Sequence, residues 1–187
     1  MNNPLDTSLF DRAVVFAVQA HSGTERRNKA YPYIIHPMEA VCIVASITND
    51  PEMLAAAILH DTVEDTDVTI GQIREQFGDR VADLVHHETA PLLDDVPWHT
   101  RKEAQLALLS DAPYDSKVVA LGDKLSNMRT LAADYRTIGD GLWSRFRAPN
   151  GKADMAWYYR SLAHALSELS GTAAYQEFLD LLHEVFE

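Results

Sequence analysis

An all-α fold in a single domain spanning residues 1–187 is the expectation for this chain, and three observations carry it. Apolar residues recur mostly three and four positions apart. Proline and glycine are few, 8 of each in 187 residues, and no repeat or low-complexity tract interrupts the pattern. No stretch alternates long enough to require a sheet, residues 31–35 being the nearest.

The elements follow in order. Leu9, Phe10, Ala13, Val14, Ala17, Val18 and His21 form one apolar stripe of a first helix, which ends in the polar loop 22–29. Pro37 fits the first turn of a second helix, because its missing N–H costs nothing there, and this places His36 at a helix entrance. Asp50-Pro51 reads as a cap and a helix-starting proline, and the apolar run 53–59 carries that helix into His60-Asp61. Thr69 to Gln72 has capping-box spacing, and Gly78 divides two short helices. Residues 90–97 read as a long loop. Helices are then expected near 100–109, 116–133, 152–169 and 172–186, with a flexible connection over 137–151.

The composition excludes several classes. The apolar fraction is 47% and the charged fraction 24%, with no apolar run long enough to cross a bilayer, so a membrane protein is not expected. The first residues lack the basic-then-apolar order of a secretory signal, which leaves the cytoplasm as the expected address. The single cysteine, Cys42, lies in an apolar run and reads as a buried thiol without a role. A net charge of −12 opposes binding to a nucleic-acid polymer, whose affinity needs clustered Lys and Arg. It does not exclude a small anion, since a bound cation and a few basic side chains can reverse the potential inside one cleft.

One segment is hard to explain by packing. His60-Asp61-Thr62-Val63-Glu64-Asp65 gathers an imidazole and three carboxylates directly after an apolar helix. If the helical path continues, His60 with Glu64 and Asp61 with Asp65 are each four apart, so like charges crowd together. A divalent cation relieves that crowding, and a mixed nitrogen and oxygen donor set suits Mn, Fe, Zn or Co better than Ca. A His-Asp dipeptide alone is more often a solvated helix end. His36 ahead of one helix and Asp123 inside the apolar run 118–125 add weight, because neither is a natural core residue. For Asp123 the plain alternative is an ion pair with Lys124 or Arg129.

The order His36-Pro37, His60-Asp61, Glu64-Asp65, then residues 122–130 (GDKLSNMRT) resembles the hydrolase domain of RelA/SpoT-type alarmone enzymes and their stand-alone small relatives. The likeness spans roughly residues 10–131. It implies an HD-domain helical bundle in which His36, His60, Asp61 and Asp123 bind one divalent metal, usually Mn2+. It also implies that Glu64 and Asp65 stand beside the attacking water, that Arg27 lies against the purine base, and that Asn127 and Thr130 face the nucleoside. Arg26, Lys29 and Lys124 could offset phosphate charge, although Arg26 and Lys29 read more readily as ordinary solvated charges. Past residue 131 the likeness weakens to 143–147 and 157–160, where Arg147 and Tyr158 are the candidates for phosphate contacts; core packing explains Trp157 and Tyr159 equally well. Residues 132–187 would complete the substrate side.

The chain departs from that pattern in two places. Ala120, Leu121 and Gly122 stand where relatives often carry a basic residue and alanine, and His86-His87-Glu88-Thr89 replaces the usual Gly-Val-Thr-Lys. Adjacent helical residues point apart, so His86 and His87 are expected exposed rather than paired on a metal. The resemblance implies hydrolysis of the 3′-diphosphate of guanosine tetra- or pentaphosphate, releasing pyrophosphate and GDP or GTP. Two alternatives stay open: the same chemistry on another small nucleotide such as NADPH, and a non-catalytic nucleotide-sensing domain, against which the Glu64-Asp65 pair argues. A small nucleotide is the expected partner, and a homo-oligomer is compatible with the sequence.

Overall fold

The computed structural model describes residues 7–89 and 96–187, so most of the loop expected at 90–97 lies outside the described residues. Among the described residues ten α-helices follow one another: α1 Ser8–Ala20, α2 Ile35–Ala45, α3 Pro51–Leu59, α4 Thr62–Asp65, α5 Ile70–Phe77, α6 Asp79–Glu88, α7 Trp98–Asp111, α8 Tyr114–Ile138, α9 Lys152–Ala165 and α10 Ala173–Phe186. Short 3₁₀ turns cover Gly139–Arg145 and Ser167–Leu169. Among the described residues there is no strand, only an isolated antiparallel bridge between Glu25 and Pro32.

The helix ends form for the expected local reasons. Asp50 accepts from the backbone N–H groups of Glu52 and Met53 at 2.9 and 3.2 Å, with Pro51 at the first helical position of α3. Thr69 and Gln72 make both halves of a capping box. Gly78, at φ +93°, turns the chain from α5 into α6 in a conformation that L side chains rarely adopt.

The 25-residue α8 is the spine, with α2, α3 and α6 against it on one side and α10 on another. One cluster of buried side chains runs through all of these, from Ala13 in α1 to Phe186 in α10. At Gly122 the α2–α8 approach leaves no room for a side chain. A Cβ there would lie 2.7 Å from Val44 Cγ2 and 2.9 Å from the Ala40 carbonyl oxygen. The sequence departure at Gly122 is therefore a packing feature. Arg129 ties α8 to α10 and α2, bonding Glu177 at 2.6 and 2.7 Å and Glu39 at 3.1 Å.

Three expectations need correction. The connection over 137–151 contains the 3₁₀ turn, with Leu142 and Trp143 buried and Trp143 stacked on Phe186, so apolar anchoring orders it. The helix expected over 152–169 ends at Ala165, and a separate 3₁₀ turn follows. Cys42 is exposed: Ala40, Val41, Ile43 and Val44 take the inner faces of α2, and the helical period turns position 42 outward.

Candidate metal centre and cleft

His36 comes from the first turn of α2, His60 from the end of α3, Asp61 from the turn into α4, and Asp123 from the middle of α8. Near the His60-Asp61 turn the helical path nearly continues, since the Asp65 N–H still bonds the Asp61 carbonyl at 2.9 Å. The four side chains converge. His36 Nε2 lies 3.0 Å from Asp123 Oδ1 and 3.4 Å from Asp61 Oδ2, and His60 Nε2 lies 3.0 Å from Asp61 Oδ2 and 3.5 Å from Asp123 Oδ1.

The hydrogen bonds behind the imidazoles decide which nitrogen faces inward. His60 Nδ1 lies 2.8 Å from the Ala57 carbonyl oxygen, which only accepts, so the proton sits on Nδ1. His36 Nδ1 lies 2.8 Å from Ser126 Oγ, whose own proton goes to Glu39 Oε2 at 2.7 Å. Both Nε2 atoms are thus bare, buried, and without a hydrogen-bond partner among the described residues. Two lone pairs and two carboxylates facing one point repel unless a cation sits among them. Without a metal that cation is a proton: against the effect of burial, Asp61 and Asp123 hold the His60 imidazole well above its ordinary value. Burial likewise opposes ionisation of the carboxylates, but His60 draws Asp61 down, and Lys124, followed by the imidazoles, draws Asp123 down. His36, His60 and Asp61 offer donor atoms within 4.8 Å of one another, with Asp123 Oδ1 alongside, so the site fits a divalent cation.

This centre is the floor of a cavity of about 410 Å³, within the usual range for a small-molecule site. Glu64 and Asp65 are exposed on α4 and line it beside Asp61. Lys124 and Tyr158 lie inside, Arg27 and Arg147 are exposed at its edge, and Asn127 donates to Asp123 Oδ1 at 2.5 Å. Thr130 lines a smaller adjoining hollow with Arg26, Arg27, Asn127 and Phe146. Trp157 packs on Trp98 and His99 beside the cleft, whereas buried Tyr159 forms part of its wall. His86 and His87 are exposed, as expected, with His87 Nδ1 3.0 Å from Ser116 Oγ. The plain alternative for Asp123 is met in part: Lys124 contacts its Oδ2, while Arg129 turns away to Glu177.

Arg26 and Lys29 are not freely solvated. The loop after α1 folds back on α8, so Arg26 bonds Asn127 Oδ1 at 2.5 Å and lies over the Tyr33 ring, and Lys29 bonds Asp134 at 2.5 Å. Sequence reasoning also missed Tyr33, whose hydroxyl donates to Asp61 at 2.6 Å, and buried His21, whose ring packs at a tilt against it. It missed Glu88, Arg101 and Lys102 in the cleft as well. Lys102 lies 4.5 Å above the Tyr158 ring, and burial, then Lys124 and Arg101, lowers its pKa to about 8. A charge on a mostly polar helix such as α7 carries no mark of this in one sequence, and the departure at 86–89 marked that segment without giving Glu88 a role.

Known proteins agree with this architecture. The chain is 37% identical over 131 residues to a guanosine-3′,5′-bis(diphosphate) 3′-pyrophosphohydrolase of Aquifex aeolicus, covering 68% of this chain and 18% of that protein. It is 38% identical over 128 residues to the bifunctional (p)ppGpp synthase/hydrolase SpoT of Escherichia coli, covering 65% of this chain. The chain thus spans 18% of the length of these curated relatives. The structure of a metazoan ortholog of SpoT that hydrolyzes ppGpp shares the fold, with a TM-score of 0.75 at 23% identity over 97% of this chain and 96% of that one. A family model described as HD domain matches residues 13–147, so this chain is a member of the HD domain family.

Proposed function

We propose that this chain hydrolyses guanosine tetra- and pentaphosphate at the 3′-diphosphate, releasing pyrophosphate and GDP or GTP. His36, His60, Asp61 and Asp123 would hold one Mn2+ ion. The observation that carries this reading is the pair of bare, buried Nε2 atoms meeting two carboxylates beneath a cleft rimmed by cations. When bound, the ion supplies Lewis acidity toward a phosphoryl oxygen and lowers the pKa of water.

The remaining chemistry belongs to the chain's own residues. Glu64 and Asp65 orient the attacking water and accept its proton as its oxygen bonds to phosphorus. The bond from that phosphorus to the 3′ oxygen breaks, and the oxygen leaves with a proton as the nucleoside hydroxyl. Arg147, Lys124 and Tyr158 meet the phosphates, joined by Arg101 and Lys102 from α7. Arg27 lies against the base, while Asn127 and Thr130 face the nucleoside, with Arg26 holding Asn127 in place.

Product analysis with Mn2+ tests the reading, offering guanosine tetraphosphate, NADPH and simple nucleoside phosphates at equal concentration. Pyrophosphate with GDP is the expected result. Free phosphate from NADPH would move the substrate and keep the chemistry, while binding without turnover would make the chain a sensor.

A further inference from the structure

Glu88 is a carboxylate in an unfavourable place. It is the last residue of α6, where the helix presents the negative end of its dipole, and its side chain is 5% exposed at the inner wall of the cleft. A negative charge held there needs a cation. Lys124 supplies it, with Nζ 3.5 Å from Glu88 Oε2, and the same ammonium contacts Asp123 Oδ2.

Asp123 therefore has two occupied sides. Its Oδ1 faces His36 and His60 and accepts from Asn127, while its Oδ2 faces Lys124. Were Asp123 the only carboxylate near Lys124, the two charges would cancel, leaving the metal-facing oxygen with little charge for a divalent ion. With Glu88 ionised beside Lys124, the group of three carries one net negative charge.

We propose that Glu88 is a positioning residue for the metal centre: it balances Lys124, so that Lys124 fixes the outer oxygen of Asp123 without neutralising the inner one. This rests on the metal-centre reading above. Glu88 touches neither the ion nor the reacting phosphate, and its effect passes through Lys124.

The test is Mn2+ affinity of the metal-stripped full chain, read from the electron paramagnetic resonance signal of free Mn2+ and requiring no turnover. Glu88→Gln should weaken binding on the order of tenfold, and the same change in a Lys124→Met background should cost nothing. Equal losses in both backgrounds would mark a merely structural role and overturn the inference, as would unchanged affinity in Glu88→Gln. Should Glu88→Gln fail to fold alone, recovery of a folded, Mn2+-binding protein on adding Lys124→Met is the supporting result. A double variant that stays unfolded is the overturning one. A wild-type chain that takes up no divalent ion removes the metal centre itself, a failure distinct from all of these.

Discussion

Ser126 Oγ accepts the Nδ1 proton of His36 at 2.8 Å because its own proton is committed to Glu39 at 2.7 Å. The serine lies one turn after Asp123 on α8, so a single helix supplies a carboxylate of the centre and the group that orients an imidazole from α2. Ser126→Ala removes the acceptor and frees the ring to rotate and change tautomer. Metal affinity should fall roughly ten- to hundredfold with the helical circular dichroism unchanged, as measured by titration calorimetry with Mn2+.

The roles of Asp61 in the centre and Glu64 on the cleft wall should separate cleanly. Asp61→Ala removes a charge facing both Nε2 atoms and should abolish metal content together with turnover. Glu64→Gln keeps the shape of an exposed cleft residue and should leave metal content intact while kcat falls about a hundredfold or more. Metal analysis of the purified variants beside steady-state rates distinguishes the roles; turnover retained in both would remove the proposed site.

Lys102 should give the pH profile its alkaline limb. Its folded pKa of about 8 lies below the ordinary 10.5, so it is cationic below about 8 and loses its charge as pH rises through that value. Log kcat/KM for a phosphate-rich substrate should decline above pH 8, and Lys102→Arg, which stays charged, should remove that limb. Between these two values the unfolded chain binds the extra proton, so this residue makes the fold more stable as pH rises from 8 toward 10.5. A limb at pH 8 that survives in Lys102→Arg would assign it to another group.

Gly122→Ala should destabilise despite alanine's better helix propensity. The new Cβ would sit 2.9 Å from the Ala40 carbonyl oxygen, a backbone atom of α2 that cannot swing aside. Parting α2 from α8 should cost about 1–3 kcal/mol, which outweighs the roughly 1 kcal/mol gained in propensity. Urea denaturation followed by circular dichroism reads the difference. His36 rides on α2, so metal affinity should weaken in the same variant.

The residues of the centre were legible in the sequence because their chemistry is anomalous where they stand. A His-Asp pair ending an apolar helix, and an aspartate inside the buried face of another, contradict the core pattern unless something pairs them. The helices were legible for a related reason, since apolar spacing, the Asp50-Pro51 cap and the Thr69-Gln72 box are local features. Where the pattern misled over 137–151, the deciding contact came from Phe186, distant in the chain, whereas at Cys42 the helical period itself turned the side chain outward.

The sequence by itself determined the helical class and most helix ends, because these rest on interactions within a few residues, and it marked the four polar residues of the centre as misfits in the core pattern. Tertiary structure alone decided that His36 presents Nε2, that Arg26 belongs to the cleft, and that Glu88 and Lys102 line its wall. Those outcomes depend on α6 and the loop after α1 packing across α8, and on α7 packing against α9. A single chain carries no record of which distant groups will meet, since desolvation and charge pairing act through space once the helices have docked.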